Sequence, residues 1–423
     1  MPNIPLESLT PGMTTIADVV NRRGQILIPS GAEISERHMK GLKMWGIESV
    51  DIDASDLSDE YLAHDASLRQ LPSDGELDEY LKVLFRHNLE QRQHPLVKEL
   101  WETCRRHFSQ QGIPEVKQIQ KNGHRVEGGS ENEVSRKDRV NASTMLKRSA
   151  NLASPPDLYA KLMEVMERGG SSSSHIAGVI SKDPSLTARL LKIVNSAYYS
   201  FPSAIETISR AITIVGTDEL RNMVLVTSVI KNFSSSLEGI LNMEQFWKHS
   251  IACALFSKQL AKLRNDQNAE RFFTTGLLHD IGRLIMYLQI PDTMTDVIFD
   301  SDTQGETHRI ERRLAGFTHA GVGAELAENW KLSARQHEAI RYHHNPQRAK
   351  RFPTDTAILH LADALSIALQ IGSSGSRFVP LIDIEIWEQL HLPADSFFRI
   401  AQDVQKEVNE LIQIFYENSN ERN

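Results

Sequence analysis

The chain is poor in cysteine, in basic charge and in long apolar runs, and each shortage argues against a class of protein. Among its 423 residues are two cysteines, Cys104 and Cys253, which lie far apart and lack the spacing of metal-ligand pairs. We therefore expect neither a disulfide framework nor a cysteine-type zinc site. The formal net charge of −8 disfavours broad nucleic-acid binding, which needs a basic surface.

Long apolar runs are also missing. No stretch of about 18 uncharged apolar residues occurs, so the sequence predicts no membrane-spanning helix. The N-terminal residues Met1–Glu7 lack the basic start and apolar core of a signal peptide. Apolar residues make up 40% of the chain and charged residues 24%, as in ordinary globular proteins. We expect a cytoplasmic protein of two or three domains, with no membrane and no direct nucleic-acid partner.

Changes in the residue pattern along the chain predict its domains. Residues 1–53 combine short strand candidates with a helix that begins after Ser35, which predicts a small α+β domain. Residues 76–113 have helical spacing and are interpreted as a helical connector. Residues 114–150 carry mixed charge and few aromatic residues, which is typical of a flexible linker. Residues 151–423 are helical in pattern, so we predict a mainly α protein whose largest part is an all-α domain.

A histidine stands directly beside an aspartate in the apolar helix pattern of residues 276–283. Buried ionisable groups need compensation, and one metal ion can compensate both because imidazole nitrogen and carboxylate oxygen are metal ligands. The pair His279 and Asp280 is weak evidence alone, since a helix end with one hydrogen-bonded histidine and one exposed aspartate would look the same. A metal site therefore requires further ligands elsewhere in the chain.

Further histidines and an aspartate recur on successive predicted helices of the second half. In chain order the candidates are His249, His279, Asp280, His319, His343, His344 and Asp363. A single histidine on an apolar face is most often a hydrogen-bonded core residue, as would be the case for His249 if it stood alone. The full order is far more specific than any one of its members.

This order resembles the pattern of the HD superfamily of metal-dependent phosphohydrolases, and within it the HDOD (HD-related output) domain. The resemblance covers roughly residues 150–415. The motifs that carry it are DPSLTARLL at 183–191, NSA at 195–197, WKHS at 247–250, GLLHDIG at 276–282, HAGVGA at 319–324, HHNP at 343–346 and AD at 362–363. Residues 1–53 resemble the small domain that often precedes HD-GYP phosphodiesterase domains.

The resemblance implies a role for each matched position. It assigns the metal ligands of the superfamily to His249, His279, Asp280 and Asp363. It assigns the positions that hold a second metal in the HD-GYP relatives to His319, His343 and His344. Arg283 stands near the position at which those relatives have a lysine that contacts substrate phosphate. It is therefore a candidate phosphate contact, although arginine keeps the charge of lysine and not its geometry. Nitrogen and oxygen ligands imply a mono- or binuclear divalent site for Fe, Mn or Mg.

Two departures bear on catalysis. The sequence Asn345-Pro346-Gln347-Arg348 stands where HD-GYP enzymes have their Gly-Tyr-Pro signature, and Gln245 stands where those enzymes often have glutamate. The HDOD resemblance implies a signalling module that binds a partner protein or a nucleotide.

Three functional interpretations follow: a metal-binding regulator without turnover, a metal-dependent phosphohydrolase, and a structural remnant whose polar groups are satisfied internally. A basic group beside the histidine pair could contact a phosphate or form a solvated charged face; its members are Arg341, Arg348, Lys350 and Arg351.

Overall fold

The computed structural model describes residues 3–5, 9–20, 26–44, 47, 49–53, 71–114, 142–148, 154–167, 172–199, 201–233, 241–393 and 396–416. Two compact units divide the chain. The first comprises Met1–Leu77 with His107–Pro114, and the second comprises Asp78–Arg106 with Glu115–Asn423.

The first unit contains two small antiparallel sheets and a helix. Strand β1 (Asn3–Pro5) pairs with β4 (Ser49–Asp51), and β2 (Val19–Val20) pairs with β3 (Ile26–Ile28). Helix α1 (Glu36–Met44) lies between β3 and β4 in the chain. The apolar side chains that close this core include Leu9, Ile28, Ile34, Leu42, Val50 and Ile52. The predicted order of strand, helix and returning strand is therefore confirmed.

The rest of the described chain is helical, which confirms the mainly α fold. The helices are α2 (Asp74–Leu84), α3 (Pro95–Gln111), α4 (Ala142–Arg148), α5 (Asp157–Glu167), α6 (Ser173–Ile180), α7 (Pro184–Val194), α8 (Ile208–Val215), α9 (Thr217–Phe233), α10 (Met243–Leu263), α11 (Glu270–Leu278), α12 (Ile281–Gln289), α13 (Pro291–Gln304), α14 (Thr307–Leu314), α15 (His319–Asn329), α16 (Ala334–Tyr342), α17 (Pro353–Ala368), α18 (Ile384–Glu388) and α19 (Ser396–Tyr416). Short 3₁₀ turns occupy Leu89–Gln91 and Pro346–Arg348.

Local capping fixes where several of these helices begin. The Asp183 carboxylate accepts a hydrogen bond from the backbone N–H of Leu186 at 3.0 Å, and Pro184 takes the first helical position of α7. Thr318 caps α15 in the same way, since its hydroxyl oxygen accepts from the backbone N–H of Gly321 at 3.2 Å. The Thr318 cap fixes the first turn of α15, which begins at His319.

Helices α10 and α17 form the centre of the second unit. Both are buried along most of their length and they pack against each other. Helices α11 and α19 also pack on α10. A helix that is apolar on nearly all sides has to be surrounded by other elements, so ionisable groups in the middle of α10 and α17 lie in the core.

A buried polar cluster lies beside the NSA motif. The Lys258 ammonium group lies 2.9 Å from Glu270 and 3.4 Å from the centre of the Tyr198 ring. The hydroxyls of Tyr198 and Tyr199 each donate to a carboxylate at 2.8 Å, to Glu270 and Glu219 respectively. Burial, reinforced by the nearby Glu270 carboxylate, raises the pKa of Glu219 to about 7. The cluster joins the segment after α7 to α9, α10 and α11.

Part of the predicted linker 114–150 lies outside the described residues. Within it, Ala142–Arg148 forms helix α4, because Met145 and Leu146 are buried and the helix contacts α15. The other predicted domain boundaries stay predictions. In the part of the chain that the structure describes, no helix combines the length and the apolarity needed to cross a membrane.

Candidate metal centre

The seven predicted ligand residues come from five helical segments that meet in the core of the second unit. Their side chains are those of His249 in α10, His279 and Asp280 between α11 and α12, His319 at the start of α15, His343 and His344 directly after α16, and Asp363 in α17. Six of these side chains are at most 2% exposed, and that of His344 is 7% exposed. The structure thus brings all seven together, and their role as ligands stays a prediction.

Two glycines on either side of the His279-Asp280 pair let neighbouring backbones approach. A Cβ atom at Gly276 would lie 2.6 Å from the Cα atom of Ala254 on α10. A Cβ atom at Gly282 would lie 2.1 Å from the carbonyl oxygen of His319 on α15. Since side-chain atoms do not approach backbone this closely, these two positions require glycine. The glycines therefore set the distance from the pair to its partners.

One group of ligand atoms surrounds Asp363. Nε2 of His249 lies 3.2 Å from Oδ1 of Asp363 and 3.4 Å from Nε2 of His279. Nε2 of His279 lies 3.5 Å from Oδ1 of Asp363 and 3.5 Å from Oδ2 of Asp280. Ligand atoms of His249, His279 and Asp280 all lie within 4.8 Å of one another, as do those of His279, His343 and Asp363.

A second group shares Asp280 with the first. Nε2 of His319 lies 3.0 Å from Oδ1 of Asp280 and 2.9 Å from Nε2 of His344. Nε2 of His343 lies 3.5 Å from Nε2 of His319 and 3.9 Å from Oδ1 of Asp280. The two oxygens of the Asp280 carboxylate therefore face different groups, which is the arrangement of a carboxylate able to bridge two cations.

These spacings fit a metal ion. Ligands at about 2.1 Å from one ion lie about 3.0 Å apart at neighbouring octahedral positions and about 3.4 Å apart at tetrahedral corners. The closest distances in both groups, 2.9 to 3.5 Å, fall in this range. Neutral histidine and carboxylate ligands without thiolate suit iron, manganese and related divalent ions.

Hydrogen bonds outside the ligand groups fix which ring nitrogen points inward. Nδ1 of His279 and of His343 donates to the backbone carbonyl oxygen three residues earlier, at 2.6 and 2.7 Å. Nδ1 of His319 donates to Oε2 of Glu311 at 2.6 Å. Because Nδ1 carries the proton in each neutral ring, Nε2 presents a lone pair to the centre. Lone pairs of nitrogen and carboxylate oxygen then face each other and repel unless a proton or a metal ion lies between them.

Unpaired buried atoms support the same conclusion. Within the described residues, Oδ1 of Asp280 has no hydrogen-bond donor, although Nε2 of His319 is only 3.0 Å away. Buried polar atoms without partners cost about 1–3 kcal/mol each, so a cluster satisfied purely by internal hydrogen bonds is disfavoured.

Electrostatics in the centre keep Asp280 and His343 in their metal-binding forms. Burial disfavours the charged form of Asp280, but the Arg283 guanidinium and the imidazoles of His279 and His319 hold the pKa of this carboxyl well below its usual value. Burial and the two neighbouring imidazoles lower the pKa of His343 to about 3, so this ring is neutral at physiological pH. Both groups are therefore deprotonated, as metal ligation requires.

His279 behaves differently. Burial disfavours its charged form, yet the neighbouring Cys253 and Asp280 raise the pKa of the imidazole well above its usual value. Protons therefore compete with a metal for this nitrogen.

Arg283 lies inside the protein beside Asp280. Its Nε atom is 3.2 Å from Oδ2 of Asp280, and its side chain is 1% exposed. The guanidinium also donates to the carbonyl oxygen of Ser374 at 3.3 Å and to the hydroxyl of Ser376 at 3.0 Å. In this conformation Arg283 orients Asp280, and the phosphate contact predicted for it stays a prediction.

Sequence reasoning missed Glu311 and His308 near the centre, and it assigned no role to His360. Glu311 is fully buried and accepts from both the backbone and the ring of His319. Nδ1 of His360 donates to the carbonyl oxygen of His343 at 2.8 Å, and the ring of His308 stacks on that of His344 with centres 4.7 Å apart. Helix α14, which carries Glu311 and His308, has the sequence THRIERRL and looks like a solvent-exposed helix. Nothing local in that sequence marks a buried carboxylate.

The sequence profile of the HDOD domain family matches residues 152–346. This match confirms the resemblance to the HDOD domain family for residues 152–346. The likeness of residues 1–53 to the small domain before HD-GYP domains stays a prediction.

A relative of known sequence matches part of this chain. An uncharacterised protein of Treponema pallidum (strain Nichols) is 26% identical over 256 residues, which are 59% of this chain and 47% of that protein. The matched region thus spans about half the length of this relative.

Two solved structures share the fold. An HDOD domain protein of unknown function from Geobacter sulfurreducens is 22% identical, with a TM-score of 0.51 over 64% of this chain and 98% of its own. A protein from Shewanella amazonensis SB2B, provisionally named a phosphohydrolase, is 23% identical, with a TM-score of 0.51 over 64% of this chain and 97% of its own.

Proposed function

We propose that the chain is a cytoplasmic bacterial signalling protein whose HDOD domain binds a divalent metal and relays the state of a bound partner protein or nucleotide without turnover. The observation that carries the proposal is the paired ligand groups around Asp280, whose spacing suits an ion and whose lone pairs face each other. The metal would hold five helical segments in one arrangement. Metal binding and partner binding would then be linked, since both act on the same packing.

Burial supports a role without turnover. Six of the seven ligand side chains are at most 2% exposed, and the seventh, His344, is 7% exposed. Arg283 is held by Asp280, Ser374 and Ser376, so it does not reach solvent in this conformation. A hydrolase needs substrate phosphorus to reach a metal-bound water, and of the seven candidate ligands only His344 borders the cavity beside the centre.

A direct assay tests this proposal. The purified full chain is incubated with cyclic dinucleotides in the presence of manganese or ferrous iron, and products are separated by chromatography. We expect no enzymatic turnover while the protein retains its metal. Sustained hydrolysis that disappears in the Asp280→Ala variant would overturn the proposal.

The complete second ligand group favours one alternative, a metal-dependent phosphohydrolase. A pair of bound cations supplies two functions in such enzymes: it lowers the pKa of a water and neutralises charge on the phosphoryl group. In that case His279→Ala should abolish both metal content and activity towards a phosphodiester. If His279→Ala loses metal but the wild-type protein has no activity in the first place, the alternative is contradicted.

A further inference from the structure

A small cavity lies against the metal centre at its least buried ligand. The cavity has a volume of about 180 Å³ and lies between the end of α14, the first turn of α15 and the end of α16. His344 lines it, and His308 lies beside that ring. Of the seven candidate ligands, His344 is the one that reaches this cavity.

The cavity wall is strongly basic. Arg312, Arg341 and Arg348 all line it, and no carboxylate does. Ion pairs are common for arginines in this protein, as with Arg271 and Arg335, which share Asp355. The three cavity arginines have no such carboxylate partner among the described residues. Three positively charged side chains along one small space, without a carboxylate among them, attract an anion.

Backbone polarity adds to the side-chain charge. Thr318, Ala320 and Gly321 line the cavity and belong to the first turn of α15, an 11-residue helix. The N-terminus of a helix carries a partial positive charge and free backbone N–H groups. The Thr318 hydroxyl accepts from Gly321, so its own hydrogen is available to a ligand. The N–H groups of His319 and Gly321 already donate within the protein, to Glu311 and to the Thr318 hydroxyl, so this turn contributes mainly its partial positive charge and that hydroxyl.

We propose that this cavity binds the phosphate group of a small phosphorylated ligand, the rest of which lies outside it. Guanidinium groups recognise phosphate through paired, charge-assisted hydrogen bonds. A volume of about 180 Å³ is below that of pockets that enclose a whole drug-sized molecule, so the cavity suits a phosphate group rather than a complete nucleotide. The inference refines the nucleotide branch of the proposed function, and it places the ligand beside His344.

Calorimetric titration of the full chain tests the inference, with inorganic phosphate in one arm and guanosine monophosphate in the other. Variants are Arg312→Gln and Arg341→Gln, singly and combined. Lys350→Gln is the matched control, because Lys350 is exposed in the same basic stretch but does not line the cavity. Thermal melting verifies folding, and metal content is measured in every sample.

We expect each arginine variant to weaken binding about tenfold or more, the double variant further, and the control by less than twofold. Equal affinity in the two arms would identify phosphate alone as the recognised group, and tighter binding of the nucleotide would identify a nucleotide ligand. Equal weakening by Lys350→Gln, or unchanged binding in the double variant, would overturn the inference. A wild-type protein without metal would contradict the proposed function and not the phosphate site. Failure of the inference and failure of the proposed function are therefore distinguishable.

Discussion

Replacing Gly282 with alanine should separate α12 from α15 and open the second ligand group. The new Cβ atom would lie 2.1 Å from the carbonyl oxygen of His319 and 2.6 Å from the backbone nitrogen of Gly323. Ordinary van der Waals contact begins at 3.4 Å, so the two helices must part by about 1.3 Å. Both clashing atoms are backbone, which cannot be relieved by a change of rotamer.

The energetic cost follows from this overlap. Overpacking of a well-packed core costs about 1–3 kcal/mol, and a backbone clash belongs at the upper end, so we expect a loss of about 3 kcal/mol in the free energy of unfolding. Since Nε2 of His319 lies 3.0 Å from Oδ1 of Asp280, movement of α15 also pulls apart two ligands. We therefore expect Gly282→Ala to lose metal as well as stability.

Equilibrium urea unfolding measures the free energy of unfolding, and elemental analysis measures the metal content. Gly178→Ala is the control, because Gly178 lies exposed within α6 and a Cβ there meets no atom within 4 Å. The control should gain about 0.5–1 kcal/mol from helix propensity. If Gly282→Ala matches the wild type in both stability and metal content, the close packing of α12 on α15 is not what positions Asp280.

Two further predictions concern carboxylates. Glu311→Ala removes the acceptor that orients the His319 ring, so metal affinity should fall about 10–100-fold, measured by competition with a chromophoric chelator; unchanged affinity would refute this role. Glu219→Gln should remove a pH dependence of stability. The folded-state pKa of Glu219 is about 7 against 4.5 for the free group, so the folded state binds a proton that the unfolded state releases, and wild-type stability falls as pH rises from 4.5 to 7. At pH 8 the variant should be more stable by up to about 3 kcal/mol, with little difference at pH 4; parallel stability curves for the two proteins would refute it.

Much of the candidate site could be predicted because the ligands stand in local patterns. The start of α7 at Asp183-Pro184 follows from capping rules. The convergence of the seven ligands was predicted through family resemblance, since spacing alone does not bring α10 and α17 together. The motifs and the structure agree on these seven residues because the histidines and aspartates of the motifs are the buried ones.

The remainder depends on tertiary packing. Glu311 sits in a helix rich in charged residues, and its burial depends on the position of α15. The engagement of Arg283 by Ser374 and Ser376 joins segments about ninety residues apart, which no local pattern reveals. Gly276 and Gly282 look like ordinary helix glycines until the neighbouring backbones are in place.

Elemental analysis of the full chain, purified without added metal and without chelator, tests the metal centre most directly. We predict at least one equivalent of a transition metal such as iron or manganese per chain, and its loss in Asp280→Ala, since Asp280 faces both ligand groups. A fully folded protein that carries no metal, and that takes up neither iron nor manganese when they are supplied, would contradict the account.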